Sequence, residues 1–284
     1  MMMMKSPKIL IAVDIEGVAG VWRPEQVQAG NADYERARRW MTLEADAAIR
    51  GAFAGGAGAV LVNDSHGHFG NLLADELDAR AELIQGKPRQ LGMMAGVDQG
   101  VAGVLMIGWH ARAKTRGVLA HTSSSAAFAR VWLGGIELGE VGLYAALAGE
   151  FDVPVLMASG CDVMADEVSA LLPHTACAVV KWSEGARSGR SLSPASARTL
   201  IEAMAREAVQ RLGSPGPRGC TPWRLPSLPP TLRVQCQTPA LADLFALWPH
   251  VQREDAETVV IACATVHDAV RSLNALSAMA NGWR

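Results

Sequence analysis

Apolar runs and polar punctuation alternate along the whole chain. Residues 9–13 form an unbroken aliphatic run, the pattern of a strand buried on both faces. The run ends in Asp14, Glu16, Gly17 and Gly20. Residues 59–62 repeat the design and end in Asn63, Asp64, Ser65 and His66; residues 104–107 repeat it again and end in Gly108, Trp109 and His110. Between the first two runs, DYERARRWMTLEADAAIRGAF predicts a helix over about 33–54, closed by Gly55 and Gly56. Strand, helix and strand make a crossover, right-handed by default. A short helix near 71–77 and a strand near 82–84 precede the third run. Residues 114–130 are small and polar with no clear period.

The second half continues the alternation. A hairpin over 131–138 turns at Gly134 and Gly135, a helix runs from Glu140 to about 151, and 153–159 is a further buried strand. A helix over 161–172 is stopped by Pro173 and followed by a strand at 177–182. The next helix has Ser193 as its N-cap, Pro194 in its first turn and Gly213 past its end. A strand at 232–237, a short helix, a strand at 258–264 and a helix at 266–279 finish the chain. This order predicts an α/β protein, a mostly parallel sheet flanked by helices with a second, smaller α/β domain. The expected division is 1–152 and 153–284. Residues 214–230 hold six of the fourteen prolines and read as a semi-rigid connector.

The strand ends carry the candidate chemistry. Side chains two apart on a strand point to the same side, so Asp14 and Glu16 project together. Two adjacent carboxylates repel and are costly to desolvate, so they call for a cation or a proton between them. The same pair also fits a helix cap beside a surface acid. Each of the three apolar runs ends in a metal-ligand residue type, and ligands of open α/β sheets bind outside the carboxyl ends of parallel strands. Glu140, opening a helix, is a fourth candidate. Asp64 is either a partner holding the His66 imidazole or a turn-capping residue. His68 reads as a solvated loop residue, and His174, His250 and His267 as structural.

Composition narrows the class. Of 284 residues, 50% are hydrophobic and the net charge is −2, with no basic patch to suggest a nucleic-acid partner. No apolar run reaches the ~18 residues of a membrane helix, and the start lacks the apolar core of a signal peptide. The five cysteines are scattered and form no Cys-x-x-Cys pair. A reducing cytoplasm fits, and any metal would be held by carboxylates and imidazoles.

The segments VDIEGVAG, DYERARRWMT, LVNDSHGH, GWHARA, GVLAH, ELGEVGL and KWSEGARSGRSLSPA occur in this order. With them the chain resembles the zinc-dependent D-aminopeptidases, the self-compartmentalising peptidases associated with dipeptide-transport operons. The resemblance is densest before residue 200. It implies two Zn²⁺ per subunit. Asp14 matches the acid that bridges both, Glu16 and His110 the other ligands of one, and His66 and Glu140 the other ligands of the second. His121 matches a catalytic histidine that binds neither. Three carboxylates against two Zn²⁺ leave a residual positive charge, which favours ionisation of bound water.

The function this implies is removal of an N-terminal residue, expected to be D-configured, from short peptides, in a cytoplasmic homo-oligomer expected to be a decamer. An L-aminopeptidase or an amidase on the same metal site is the alternative enzyme. A metal-stabilised binding protein without turnover is the alternative from another class, and an intact His121 argues against it. Arg187 and Arg190 could face substrate or a subunit contact, while Tyr34, Glu35 and Arg36 read as packing and interface residues.

Overall fold

A computed structural model describes residues 6–212 and 220–283. Seven strands form the larger sheet: β1 (Lys8–Val13), β2 (Ala59–Asp64), β3 (Glu82–Ile84), β4 (Gly103–Trp109), β7 (Val155–Cys161), β8 (Ala176–Gly185) and β9 (Ser188–Ser191). Their order is β3-β2-β1-β4-β7-β8-β9, all parallel except β9, which returns antiparallel against β8. The chain leaves β1 toward β2 on one side and later crosses to β4 on the other. The β1–β4 boundary is therefore the switch point, where a crevice opens beyond the strand ends.

Alternation along β1 divides the core in two. Ile9, Ile11 and Val13 pack with Met41, Ile49 and Ala52 of helix α1 (Ala32–Ala54) and with Ile201 and Ala205 of helix α4 (Pro194–Gln210). Leu10 and Ala12 face the opposite layer, with Val141 and Leu147 of helix α2 (Glu140–Glu150) and Met164 of helix α3 (Asp162–Leu171). That layer continues into a smaller antiparallel sheet of order β11-β12-β10-β5-β6. Its strands are β5 (Phe128–Leu133), β6 (Ile136–Glu137), β10 (Thr231–Cys236), β11 (Gln252–Arg253) and β12 (Thr258–Ala262), covered by helices α5 (Pro239–Phe245) and α6 (Val266–Gly282).

A boundary at residue 152 does not coincide with the sheets. β7, β8 and β9 follow it yet complete the large sheet, and β5 and β6 precede it yet pair in the small one. The short helix expected at 71–77 is a single 3-10 turn, Ala74–Glu76. β9 has no apolar alternation, being SGRS and exposed, so pattern alone does not announce it. The expected Gly213 helix stop and the connector residues 214–219 lie outside the described residues. No described helix is long and apolar enough to cross a membrane.

Candidate active site

The carboxyl ends of three neighbouring strands, β2, β1 and β4, deliver the site. Beyond β1, the Asp14 amide donates to the Ile107 carbonyl at 2.8 Å and the Gly17 amide to the Gly108 carbonyl at 2.7 Å. This approach requires glycine twice. A Cβ on Gly17 would lie 2.0 Å from the Trp109 carbonyl oxygen, and one on Gly108, whose φ is +72°, 2.2 Å from that of Asp14. The two strand ends thereby close to backbone contact, and Asp14 faces His110.

Each imidazole is oriented by a backbone carbonyl. His66 Nε2 donates to the Val27 carbonyl at 2.8 Å, leaving Nδ1 3.1 Å from Asp14 Oδ1 and 3.1 Å from Glu16 Oε2. His110 Nδ1 donates to the Ala111 carbonyl at 3.0 Å, leaving Nε2 3.4 Å from Asp14 Oδ2 and 3.5 Å from Glu140 Oε2. His121 Nδ1 donates to the Leu119 carbonyl at 2.9 Å, with Nε2 3.8 Å from Glu140 Oε1. Glu140 stands in the first turn of α2, where the helix dipole favours its negative charge. Its Oε1 also accepts from the Ser123 amide at 2.6 Å.

The six side chains Asp14, Glu16, His66, His110, His121 and Glu140 therefore form one cluster, with His121 joined to it through His110 and Glu140. Donor atoms of Asp14, Glu16 and His110 lie within 4.8 Å of one another, as do those of His110, His121 and Glu140, while His66 Nδ1 lies against Asp14 and Glu16. Asp14, Glu16, His110 and Glu140 are buried, between 2% and 4% exposed. Glu16 Oε2 and His110 Nε2 have no directed hydrogen bond despite complete burial. Unpaired polar atoms of this kind are costly unless something charged sits between them.

The ionisable groups interact strongly with one another. Burial and the neighbouring Glu16 charge raise the Asp14 carboxyl to about 7, against opposition from His66 and His110. Burial also works against ionisation of Glu16 and Glu140, yet the histidines outweigh it and hold both below the ordinary carboxyl value. Burial tends to lower His66 and His110, but the surrounding carboxylates hold both imidazoles well above theirs. His121 differs: burial, then the adjacent His110, lowers it.

The donor set fits zinc. Ligand atoms at zinc distances of about 2.0–2.1 Å in a tetrahedron lie about 3.3 Å from one another. The spacings of 3.1 to 3.5 Å around Asp14 match that edge. Asp14 offers one oxygen to each imidazole, Oδ1 toward His66 and Oδ2 toward His110.

A cavity of about 760 Å³ opens over these residues, with Lys87, Ser123, Tyr144 and Arg187 also in its wall. His68 is an exposed wall residue, and Arg190 packs away over the Trp182 ring, 4.2 Å from its centroid. Asp64 caps a turn and does not hold His66: its carboxylate accepts from the Asn71 amide at 2.5 Å, the Leu72 amide at 2.8 Å and Asn71 Nδ2 at 2.7 Å. The Tyr34 hydroxyl joins this network through Asn71 Oδ1 at 2.8 Å. Reading residues in sequence missed Lys181 and Glu44 beneath the site, although both carry a signal: a charge inside the apolar run CAVVKW, and one on the apolar stripe of α1 beside Met41, Ala45 and Ala48.

Acids and imidazoles converging at the switch point of a parallel sheet define a candidate metal centre, and the comparisons with known proteins make the class a metal-dependent hydrolase. The chain belongs to peptidase family M55, the D-aminopeptidases, whose profile matches residues 7–275. It is similar to the D-aminopeptidase of Bacillus subtilis (strain 168), 39% identical over 203 residues, which are 72% of this chain and 74% of that protein. The fold is similar to that of the Zn-dependent D-aminopeptidase DppA from Bacillus subtilis, a self-compartmentalizing protease. The TM-score is 0.91 at 32% identity, covering 96% of this chain and 98% of that one.

Proposed function

We propose that this chain is a zinc-dependent aminopeptidase that releases N-terminal D-amino acids from short peptides, using two zinc ions bridged by Asp14. The observation that carries the reading is the position of Asp14, one carboxylate oxygen turned to His66 and the other to His110. Glu16 and His110 would complete one ion's protein ligands, their donor atoms lying with Asp14's within 4.8 Å of one another, and His66 and Glu140 would complete the other's. Bound zinc supplies a Lewis acid for the scissile carbonyl and lowers the pKa of its bound water to about 7. The Val27 and Ala111 carbonyls fix which ring nitrogen of His66 and His110 faces the ions.

His121 is the acid–base residue in this reading. Its Nδ1–H is committed to Leu119, and its lowered pKa keeps the ring neutral near pH 7, so Nε2 is free to accept a proton and return it to the leaving amine. His121 lines the cavity of about 760 Å³ in which a short peptide would sit. The zinc and the D-configured substrate are supported by the Bacillus relatives. DppA is a self-compartmentalizing protease, and this chain is proposed to form a closed homo-oligomer, a decamer, with active sites on an inner chamber. The exposed Trp22, Leu247 and Trp283 are surface that such contacts would cover. Five free cysteines fit a cytoplasmic enzyme.

The test is hydrolysis of D-alanyl-D-alanine and L-alanyl-L-alanine by zinc-loaded protein, before and after chelation. Release of D-alanine that is lost on chelation and restored by zinc supports the proposal. Faster cleavage of the L-dipeptide would replace it with the L-aminopeptidase reading.

A further inference from the structure

The segment that carries Glu16 turns between β1 and α1, and two buried charged residues grip it from below. Lys181 on β8 is 2% exposed and Glu44 on α1 is 1% exposed. Neither lines the cavity. Lys181 Nζ donates to the Glu16 carbonyl at 2.5 Å and to the Val21 carbonyl at 2.5 Å. Glu44 Oε1 accepts from the Ala19 amide at 2.9 Å, and Ser191 Oγ accepts from the Gly20 amide at 2.9 Å.

A buried ammonium is an expensive way to fill a core, because desolvation opposes it and an apolar side chain of equal length would pack as well. Burial holds Lys181 down to about 8, so it is still cationic at neutral pH. What the charge accomplishes is geometric. It draws two carbonyls five residues apart onto one point and closes the segment between them into a ring. Glu16 projects toward His66 from the first residue of that ring. The Ala19 amide of the same ring is held by Glu44 on α1.

We infer that Lys181, supported by Glu44, is a positioning residue for the metal ligands: by holding the Glu16 and Val21 carbonyls it fixes the backbone from which the Glu16 carboxylate reaches the site. The inference rests on the zinc reading above. A merely structural Lys181 would affect folding stability alone; a positioning one sets metal affinity in the folded protein.

The experiment compares full-length wild type with Lys181→Met and Lys181→Gln, each freed of metal and titrated with zinc against a chromophoric chelator at 25 °C. Cobalt(II) absorption spectra report ligand geometry, and thermal unfolding of the metal-free proteins reports the fold. Lys181→Met is expected to bind zinc about 10- to 100-fold more weakly while still folded, the usual effect of losing an outer partner of a ligand, with changed cobalt bands. Lys181→Gln, which keeps a donor for one carbonyl, falls between, and it carries the test if the methionine variant does not fold. Variants with wild-type zinc affinity and cobalt bands overturn the inference, whatever their melting temperature. A wild type that takes up no zinc overturns the site itself, and this inference with it.

Discussion

His121 stacks on His110 with ring centroids 4.2 Å apart and planes within 9° of parallel. One residue arranges both rings: the Ala111 carbonyl accepts from His110 Nδ1 at 3.0 Å and from the His121 amide at 3.2 Å. Two imidazoles in face contact repel strongly if both are protonated. Carboxylates hold the His110 value up against burial, while burial and His110 lower that of His121. The two rings are thus pushed in opposite directions, and in the proposed function His121 is the one left neutral to act as the base.

His121→Ala should therefore retain zinc and fold while kcat falls by about 10²- to 10⁴-fold, the range for a lost acid–base group. Zinc content and kcat on D-alanyl-D-alanine are measured on the same sample. Full zinc with near-normal kcat refutes the role. Lost zinc makes His121 a ligand, a reading that its 3.8 Å approach to Glu140 would accommodate.

Zinc-reconstituted wild type should hold two ions per chain, about 3.5–4 Å apart. Asp14→Ala should hold none, because both ions depend on that carboxylate, whereas Glu16→Ala should mainly weaken one of the two. Elemental analysis after gel filtration decides this. A wild type with one ion would end the dinuclear scheme.

Burial raises Glu44 to about 7, opposed by its bond to the Ala19 amide and by Lys181. A carboxyl with a folded-state pKa above its unfolded one stabilises the fold fully below the unfolded value, and that stability is lost as pH climbs from 4.5 to about 7. Glu44→Gln keeps an acceptor for Ala19 without the titration. Its stability relative to wild type should rise across this window by up to about 3 kcal/mol, read from denaturant unfolding at pH 4.5 and pH 8. A difference that does not change with pH would show that Glu44 does not titrate in this way.

Asp64→Ala leaves the Asn71 and Leu72 amides without their acceptor beneath the His66 loop. Unfolding free energy should drop by about 1–3 kcal/mol per buried group left unsatisfied. Zinc binding should weaken too, because Asn71 Nδ2 also holds the His66 carbonyl at 2.7 Å. Unchanged zinc affinity would mean that the loop keeps its shape without Asp64.

Much of this protein was legible in the chain. The runs before Asp14, before His66 and before His110 announce strands buried on both faces, because aliphatic continuity is a local property, and three such endings at one sheet edge already imply a shared cavity. The helix from Glu140 and its carboxylate at the site are equally plain. The tertiary structure alone decided which strands become neighbours. Pattern cannot say that β7 and β8 join the large sheet and β5 the small one, since pairing is chosen by packing across the core and not by the strand's own residues. It alone set His66 and His110 against the two oxygens of Asp14, their rings oriented by carbonyls of Val27 and Ala111 that no side-chain motif encodes. It also brought Lys181 under Glu16, 165 residues away in sequence. The chain determines which groups are available to bind a cation; the distances among them, and the buried charge that holds them, exist only once distant segments are packed against one another.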